Sequence, residues 1–101
     1  AFNFGPAEED VRPVEWILDR LRSDWPGDLE VEVDPGPHPH EATWLKLDSS
    51  RARHRLGWTP AWDLAKGIDA ISAWYSAYGD GADARALTLG QISAYETAAA
   101  A

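Results

Sequence analysis

The sequence predicts a small α+β domain that is mostly helical and contains a few short strands. Apolar residues recur at the spacing of amphipathic helices in segments 10–25 and 63–79. Apolar and polar residues alternate in the short segments 2–4, 29–33 and 43–47, which is the period of a strand. With 101 residues, 45% of them hydrophobic and 26% charged, the chain is large enough for one modest core.

The charge balance argues against a nucleic-acid partner. The net charge is −8, from 17 acidic against 9 basic residues, so the chain has too few cations for a phosphate-binding face. The absence of cysteine excludes disulfides and thiolate chemistry. No apolar run approaches the ~18 residues of a membrane span, so we expect no membrane partner and a cytoplasmic location.

Both ends of the sequence suggest a piece of a longer protein. The chain begins at Ala1 rather than at Met, and its first residues do not resemble a signal peptide. Residues 98–101 are all alanine, and we expect a disordered or artificially added tail there. The domain is therefore predicted to span residues 1–97.

The first third of the chain predicts a strand, a helix and a second strand. Phe2 to Phe4 forms a short strand that ends at Gly5-Pro6 and has no partner nearby in the sequence. Asp10 caps a helix that stops at Pro26-Gly27. Leu29 to Val33 alternates strictly and predicts a half-buried strand. The apolar stripe of the helix is predicted to face the core and contains Val11, Val14, Ile17, Leu18, Leu21 and Trp25.

A strand, a helix and a sharp stop follow. The strand covers Thr43 to Leu47, and Asp48 is placed to cap a helix from Ser49 to Leu56. Gly57 occupies the position where helices commonly end in the left-handed conformation, and Pro60 prevents continuation.

Two further helices complete the prediction. Asp63 caps the longest helix, and Gly79 ends it. Thr88 and Gln91 form a capping box for a last helix after a loop over residues 79–86. The first of these helices has an apolar stripe of Leu64, Ile68, Ile71, Tyr75 and Tyr78, widened by Trp74, and the second carries Leu89, Ile92 and Tyr95.

The chain offers no catalytic set of its own. No tyrosine is followed four residues later by lysine, and helix capping explains Ser49-Ser50 better than a nucleophile beside His54 does. Gly79 to Ala84 matches the dinucleotide pattern G-x-G-x-x-A, but a helix precedes it where that site requires a strand. We therefore predict no catalytic residues and no cofactor site in this chain.

One segment has the composition of a ligand-binding loop. His38, His40 and Glu41 alternate around a proline, which leaves too few converging ligands for zinc. A loop whose polar side chains hydrogen-bond a ligand is the favoured interpretation, and simple solvent exposure is the alternative. We predict no metal site.

Two sets of residues carry a family resemblance. The first set consists of Asn3 to Pro6, Asp48, Ala52, Leu56 to Trp58, Pro60 and Trp74-Tyr75. It resembles the C-terminal region of extended short-chain dehydrogenase/reductases that act on nucleotide-sugars. The second set consists of His40 to Ala42, Leu45 to Asp48, Trp62, Arg85 to Thr88, Gln91-Ile92 and Tyr95. With it the chain resembles, within that group, the CDP-glucose 4,6-dehydratases. The resemblance covers residues 2 to 97.

This resemblance implies a division of labour. In the family, an upstream Rossmann domain holds NAD and supplies the Tyr-x-x-x-Lys pair, while the smaller C-terminal domain closes over the nucleotide-sugar. Phe2 to Phe4 would then be a strand of that Rossmann sheet. The family's nucleotide contacts map onto His38, His40, Glu41 and Thr43. Relatives that bind other nucleotide-sugars carry an arginine there, whereas this chain has none between Arg22 and Arg51.

The resemblance also implies partners. These are a nucleotide-sugar of the CDP-glucose class and the Rossmann domain itself, within a homo-oligomeric parent. Without that domain, the chain is expected to expose apolar surface and to self-associate. An alternative of another class is a free-standing carbohydrate- or partner-binding module that uses exposed Trp16, Trp44 and Trp62 as stacking platforms.

Overall fold

The computed structural model describes residues 1–37 and 46–101. Within these ranges the chain forms a short 3₁₀ helix, Glu8–Asp10, and four α-helices. No helix in the described ranges is long and apolar enough to cross a membrane. The α-helices are α1 (Val14–Asp24), α2 (Ser50–Leu56), α3 (Leu64–Gly79) and α4 (Ala84–Ala100).

The predicted strands are absent from the described residues, so the α+β prediction is wrong there and the described domain is all-helical. Phe2 to Phe4 and Leu29 to Val33 lie in irregular chain. Most of the third predicted strand lies outside the described residues, and its last two, Lys46 and Leu47, are also irregular. A strand is stable only when a second strand pairs with its backbone, and no such ladder forms in the described chain.

Helix α1 begins three residues later than Asp10 predicts. Pro13 occupies its N-cap position, and Asp10 lies in the preceding 3₁₀ helix. The Asp10 carboxylate instead accepts a hydrogen bond from the backbone N–H of Leu64 in α3, at 2.8 Å. The predicted core stripe is also only partly covered, because Val14 remains 70% exposed while Ile17 is half-buried.

Helix α2 confirms its predicted start and stop closely. The Asp48 carboxylate accepts from the backbone N–H of Ser50 at 2.9 Å, which satisfies an otherwise unpaired donor of the first turn. Gly57 follows the last turn with φ +64°, the left-handed conformation that glycine adopts at low cost. The helix buries Ala52 completely.

Helix α3 has its predicted cap but a different buried face. The Asp63 carboxylate accepts from the backbone N–H of Lys66 at 2.8 Å. Ile68 and Ser72 are the buried residues of α3. Only part of the predicted apolar stripe is buried, since Ile71, Tyr75 and Tyr78 are 45%, 52% and 54% exposed.

Helix α4 begins earlier and ends later than predicted. Asp83 is its N-cap and accepts from the backbone N–H of Ala86 at 2.8 Å, so the capping box predicted at Thr88 and Gln91 is wrong. The helix continues through Ala98 to Ala100, where the sequence suggested a disordered tail. Alanine has the highest intrinsic helix propensity, which accounts for this continuation.

Thr88 and Gln91 join α4 to α3 instead. The Thr88 hydroxyl accepts from Trp74 Nε1 at 3.1 Å, and Gln91 Nε2 donates to the Ala70 carbonyl at 2.7 Å. Near the other end of the pair, the Tyr95 hydroxyl accepts from the backbone N–H of Ala61 at 3.2 Å. The two helices are therefore antiparallel neighbours.

Helix α3 is the centre of the domain, with α1 on one side and α4 on another. Arg20 of α1 binds Asp69 of α3 through Nε–Oδ1 and Nη2–Oδ2 contacts of 2.9 and 2.7 Å. At the end of α1, the Trp25 ring lies 5.7 Å from the Tyr75 ring of α3. A bidentate charge-assisted pair and an aromatic contact thus fix α1 against α3.

Candidate functional site

A cleft of about 550 Å³ opens where the 3₁₀ helix, the start of α1 and the first turn of α3 meet the chain entering α2. Its volume is in the range of small-molecule pockets. Apolar and charged side chains alternate around it. The lining residues are Pro6, Glu8, Asp10, Val11, Arg12, Ile17, Lys46, Leu47, Asp48, Ser49, Arg53 and Leu64.

The acidic groups of the cleft are already engaged within the fold. Asp10 accepts from the Leu64 amide, Asp48 accepts from the Ser50 amide, and Glu8 lies 3.6 Å from Lys46 Nζ. These contacts use the carboxylates to hold the walls of the cleft together.

The two arginines of the cleft keep their hydrogen-bonding capacity. The Arg12 guanidinium lies over the Trp16 ring at 5.3 Å from its centroid, which leaves its edge donors available. Within the described residues, neither Arg12 nor Arg53 donates a side-chain hydrogen bond or forms an ion pair. The cleft therefore presents two guanidinium groups that can bind an anionic ligand.

Asp48 is unsuited to proton donation. Hydrogen bonds from the Ser50 hydroxyl and from the Ser50 amide hold the pKa of Asp48 below its usual range. A carboxyl group with a lowered pKa is ionised at neutral pH and cannot act there as a general acid.

No metal-binding group emerges from the described part of the chain. Nowhere in it do three His, Cys, Asp or Glu side chains come together as ligands.

The four predicted substrate-binding residues, His38, His40, Glu41 and Thr43, lie outside the described residues. The described chain resumes at Lys46, which lines the cleft together with Leu47.

Sequence reasoning missed the cleft itself. Arg12 and Arg53 carry no motif, and Asp10 was expected to cap its own helix. These residues come together only in the folded chain, where the Leu64 amide binds the Asp10 carboxylate across 54 positions. A local pattern cannot reveal such a contact, because the donor and the acceptor belong to segments of the chain that only folding unites.

The described tryptophans do not form free stacking platforms. The Trp62 ring packs edge-on against the Tyr95 ring at 5.3 Å, and Lys66 Nζ lies 5.7 Å from its centroid. Trp16 is half-buried beneath Arg12. The third tryptophan of that hypothesis, Trp44, lies outside the described residues.

The residues present do not fit an NAD site at the glycine-rich segment. Gly79 is the last residue of α3, and Gly81 lies in the turn before α4. A dinucleotide fingerprint instead joins a strand to a helix, so that the pyrophosphate lies on the helix N-terminus in a parallel sheet.

Comparison with known proteins supports the resemblance found in the sequence. No protein-family profile matches the chain. Over 97 residues, the chain is 40% identical to CDP-glucose 4,6-dehydratase of Salmonella typhimurium. The chain is similar to the C-terminal region of CDP-glucose 4,6-dehydratase. This confirms the predicted resemblance. The match covers 96% of the chain but only 27% of the length of the Salmonella dehydratase.

Proposed function

We propose that this chain is the nucleotide-sugar-binding C-terminal part of a CDP-glucose 4,6-dehydratase of the extended short-chain dehydrogenase/reductase family. The 40% identity across 96% of the chain carries the proposal. The parent enzyme would convert CDP-glucose to its 4-keto-6-deoxy derivative with NAD recycled internally. Its NAD site and its Tyr-x-x-x-Lys pair would belong to the Rossmann domain.

The cleft supports a role in binding an anionic ligand. The chain has no arginine between Arg22 and Arg51, where relatives that bind other nucleotide-sugars carry one. Arg12 and Arg53 line the same cleft as Lys46, which follows the predicted binding segment in the sequence. We infer that these two guanidinium groups contact the diphosphate, while His38, His40, Glu41 and Thr43 contact the rest of the nucleotide-sugar.

The proposal assigns binding, and no catalytic step, to this chain. Catalysis requires contacts that are stronger in the transition state than in the ground state, and the groups that would make them belong to the Rossmann domain. The 101-residue chain incubated with NAD and CDP-glucose should therefore form no 4-keto-6-deoxy product. Turnover by the purified chain alone would contradict this assignment.

Substitutions in the chain joined to a Rossmann domain test the binding role. We take the N-terminal part of the Salmonella dehydratase, which lies outside the match, and fuse it to this chain. Removing the side chain of His40 or Glu41 should weaken CDP-glucose binding by ~1–3 kcal/mol if its partner is left buried. His54→Ala and Glu32→Ala are matched controls, because both residues are exposed and lie outside the cleft.

The readout is the CDP-glucose dissociation constant from calorimetry. Arg12→Ala and Arg53→Ala should weaken the binding of CDP-glucose and of CDP by the same factor, so the ratio of the two dissociation constants stays unchanged. Arg22→Ala should change neither dissociation constant. Unchanged affinity in both the His40 and the Glu41 variants would remove these residues from the site.

A free-standing binding module remains the second candidate function. It would require accessible aromatic faces, but the Trp62 ring is covered by Tyr95 and Lys66, and Trp16 by Arg12. The two candidates differ in one property: a module would bind free sugars without nucleotide, whereas the dehydratase domain would require the nucleotide diphosphate.

A further inference from the structure

Helix α4 carries an exposed stripe that the fold leaves uncovered. Arg85, Leu89, Ile92 and Glu96 recur at spacings of four, three and four residues, which places them on one face of the helix. Leu89 and Ile92 are 52% and 49% exposed, and Arg85 and Glu96 are also exposed. Neither Arg85 nor Glu96 has an ion-pair partner within the described residues. The adjacent face of α4, with Thr88, packs on α3.

The neighbouring face of α3 extends this apolar surface. The two helices are antiparallel and in register at Trp74–Thr88 and Ala70–Gln91. With a rotation of about 100° per residue, Ile71 and Tyr78 then lie on the same side of the pair as the stripe. Tyr78 stacks on the Trp74 ring at 5.1 Å and stays 54% exposed.

The stripe is complementary to a reversed copy of itself. Its sequence is symmetric about the midpoint between Gly90 and Gln91: Leu89 and Ile92 flank that point, and Arg85 and Glu96 lie equally far on either side. If a second α4 packs antiparallel across a two-fold axis at this point, each Leu89 faces the Ile92 of the other copy. Each Arg85 then faces the Glu96 of the other copy, so two opposite-charge pairs close the ends.

Helix α3 meets the same axis. The hydrogen bond from Gln91 to the Ala70 carbonyl puts Ile71 at the level of the axis, where it faces its own symmetry mate. We propose that a second copy of this chain docks on the face formed by Arg85, Leu89, Ile92 and Glu96 of α4 with Ile71 and Tyr78 of α3. The result is an isologous, two-fold interface.

The exposed area suits a weak contact of this kind. Leu89, Ile92, Ile71 and Tyr78 are each about half exposed and together present roughly 400 Å² of mostly apolar surface, within the range of the largest patch on a typical monomer. The stems of Arg85 and Glu96 enlarge the face, which stays below the ~800 Å² per partner of a standard interface. The first residues of the chain lie against α2 instead, where Phe4 packs edge-on to Trp58 at 5.1 Å. The interface is independent of the proposed reaction.

A charge exchange tests the pairing directly. Arg85→Glu puts two carboxylates opposite each other at both ends of the two-fold contact, and Glu96→Arg does the same with two guanidinium groups. Each single variant should self-associate roughly tenfold more weakly, because two surface pairs change from attraction to repulsion. Equimolar mixing of the two variants should restore association. In the mixed dimer one copy supplies only carboxylates and the other only guanidinium groups, so opposite charges meet again at both ends.

Sedimentation equilibrium of the 101-residue chain, up to millimolar concentration and at low salt, is the measurement. Both charge exchanges suit the helix dipole, and circular dichroism checks that α4 persists. Leu89→Asp should abolish the dimer, whereas Val33→Asp, at an 86% exposed position away from the face, should leave it unchanged. A strictly monomeric chain, association that survives Leu89→Asp, or no recovery on mixing would each overturn the proposal. The proposal would also be overturned if a preceding domain, and not a second copy of this chain, covers the stripe.

Discussion

Asp10 lines the candidate site and binds the N-terminus of α3, not that of α1, the helix it precedes. Its carboxylate satisfies the first backbone N–H of α3, while Asp63 satisfies the N–H of Lys66. Two carboxylates thus stabilise one helix N-terminus, where negative charge is also favoured by the helix dipole. The same contact fixes the 3₁₀ helix against α3 and so defines one wall of the cleft.

Replacement of Asp10 should therefore destabilise α3 rather than α1. We expect Asp10→Ala to lower the free energy of unfolding by about 0.5–2 kcal/mol, as the loss of a helix cap does. The measurement is urea denaturation followed by circular dichroism. Glu9→Ala is the control, because Glu9 is exposed and is equally close to α1. Equal stability of the two variants would show that the Leu64–Asp10 bond contributes nothing.

The Arg20–Asp69 pair makes stability depend on pH in the acid range. The hydrogen bond from Arg20, with its charge, holds the pKa of Asp69 below its usual range. A carboxyl group whose pKa falls on folding stabilises the folded state above its unfolded pKa. That contribution disappears as the pH falls through the folded pKa.

Asp69→Asn should accordingly lower the melting temperature at neutral pH. The difference from the unsubstituted chain should shrink as the pH falls below ~3.9, where aspartic acid is protonated in the unfolded chain. Asp19→Asn, an exposed position on α1, should shift the melting temperature little at any pH. A pH-independent difference between Asp69→Asn and the unsubstituted chain would contradict the assigned role of the pair.

At the scale of the elements, local chemistry predicted the caps of α2 and α3 but neither those of α1 and α4 nor which helix faces are buried. Asp63 and Gly57 act at their predicted positions because a cap and a left-handed stop depend on a few adjacent residues. The buried face of α3 depends on which neighbours arrive. α1 and α4 leave Ile71 and Tyr78 exposed, although both belong to the predicted stripe. The predicted strands do not form in the described residues for the same reason, since a strand needs a second strand from another part of the chain.

Two glycine substitutions distinguish the conformational role of Gly57 from a general effect of glycine. Gly57→Ala should destabilise the domain by about 1–2 kcal/mol, because φ +64° places a Cβ near the following carbonyl. Gly67→Ala lies inside α3, has no atoms within 4 Å of the added Cβ, and should stabilise by about 0.5–1 kcal/mol. Chemical denaturation measures both. Opposite signs are expected, and equal signs would contradict the account.

At the scale of the whole molecule, the family resemblance was predictable but the binding surface was not. Short local motifs such as Leu56-Gly57-Trp58 predicted the superfamily. Leu45 to Asp48 with Gln91-Ile92 predicted the narrower resemblance to CDP-glucose 4,6-dehydratases, which the comparison confirmed. Arg12 and Arg53 became candidates only when the fold brought the 3₁₀ helix to the start of α2. His38, His40, Glu41 and Thr43 stay predictions, because they lie outside the described residues.

We propose that this chain completes a CDP-glucose 4,6-dehydratase. The test is the turnover of CDP-glucose by the N-terminal part of the Salmonella dehydratase joined to this chain, with the 4-keto-6-deoxy product quantified. We expect product from the joined protein and none from either part alone. A folded, NAD-loaded joined protein that binds no CDP-glucose and forms no product would contradict it.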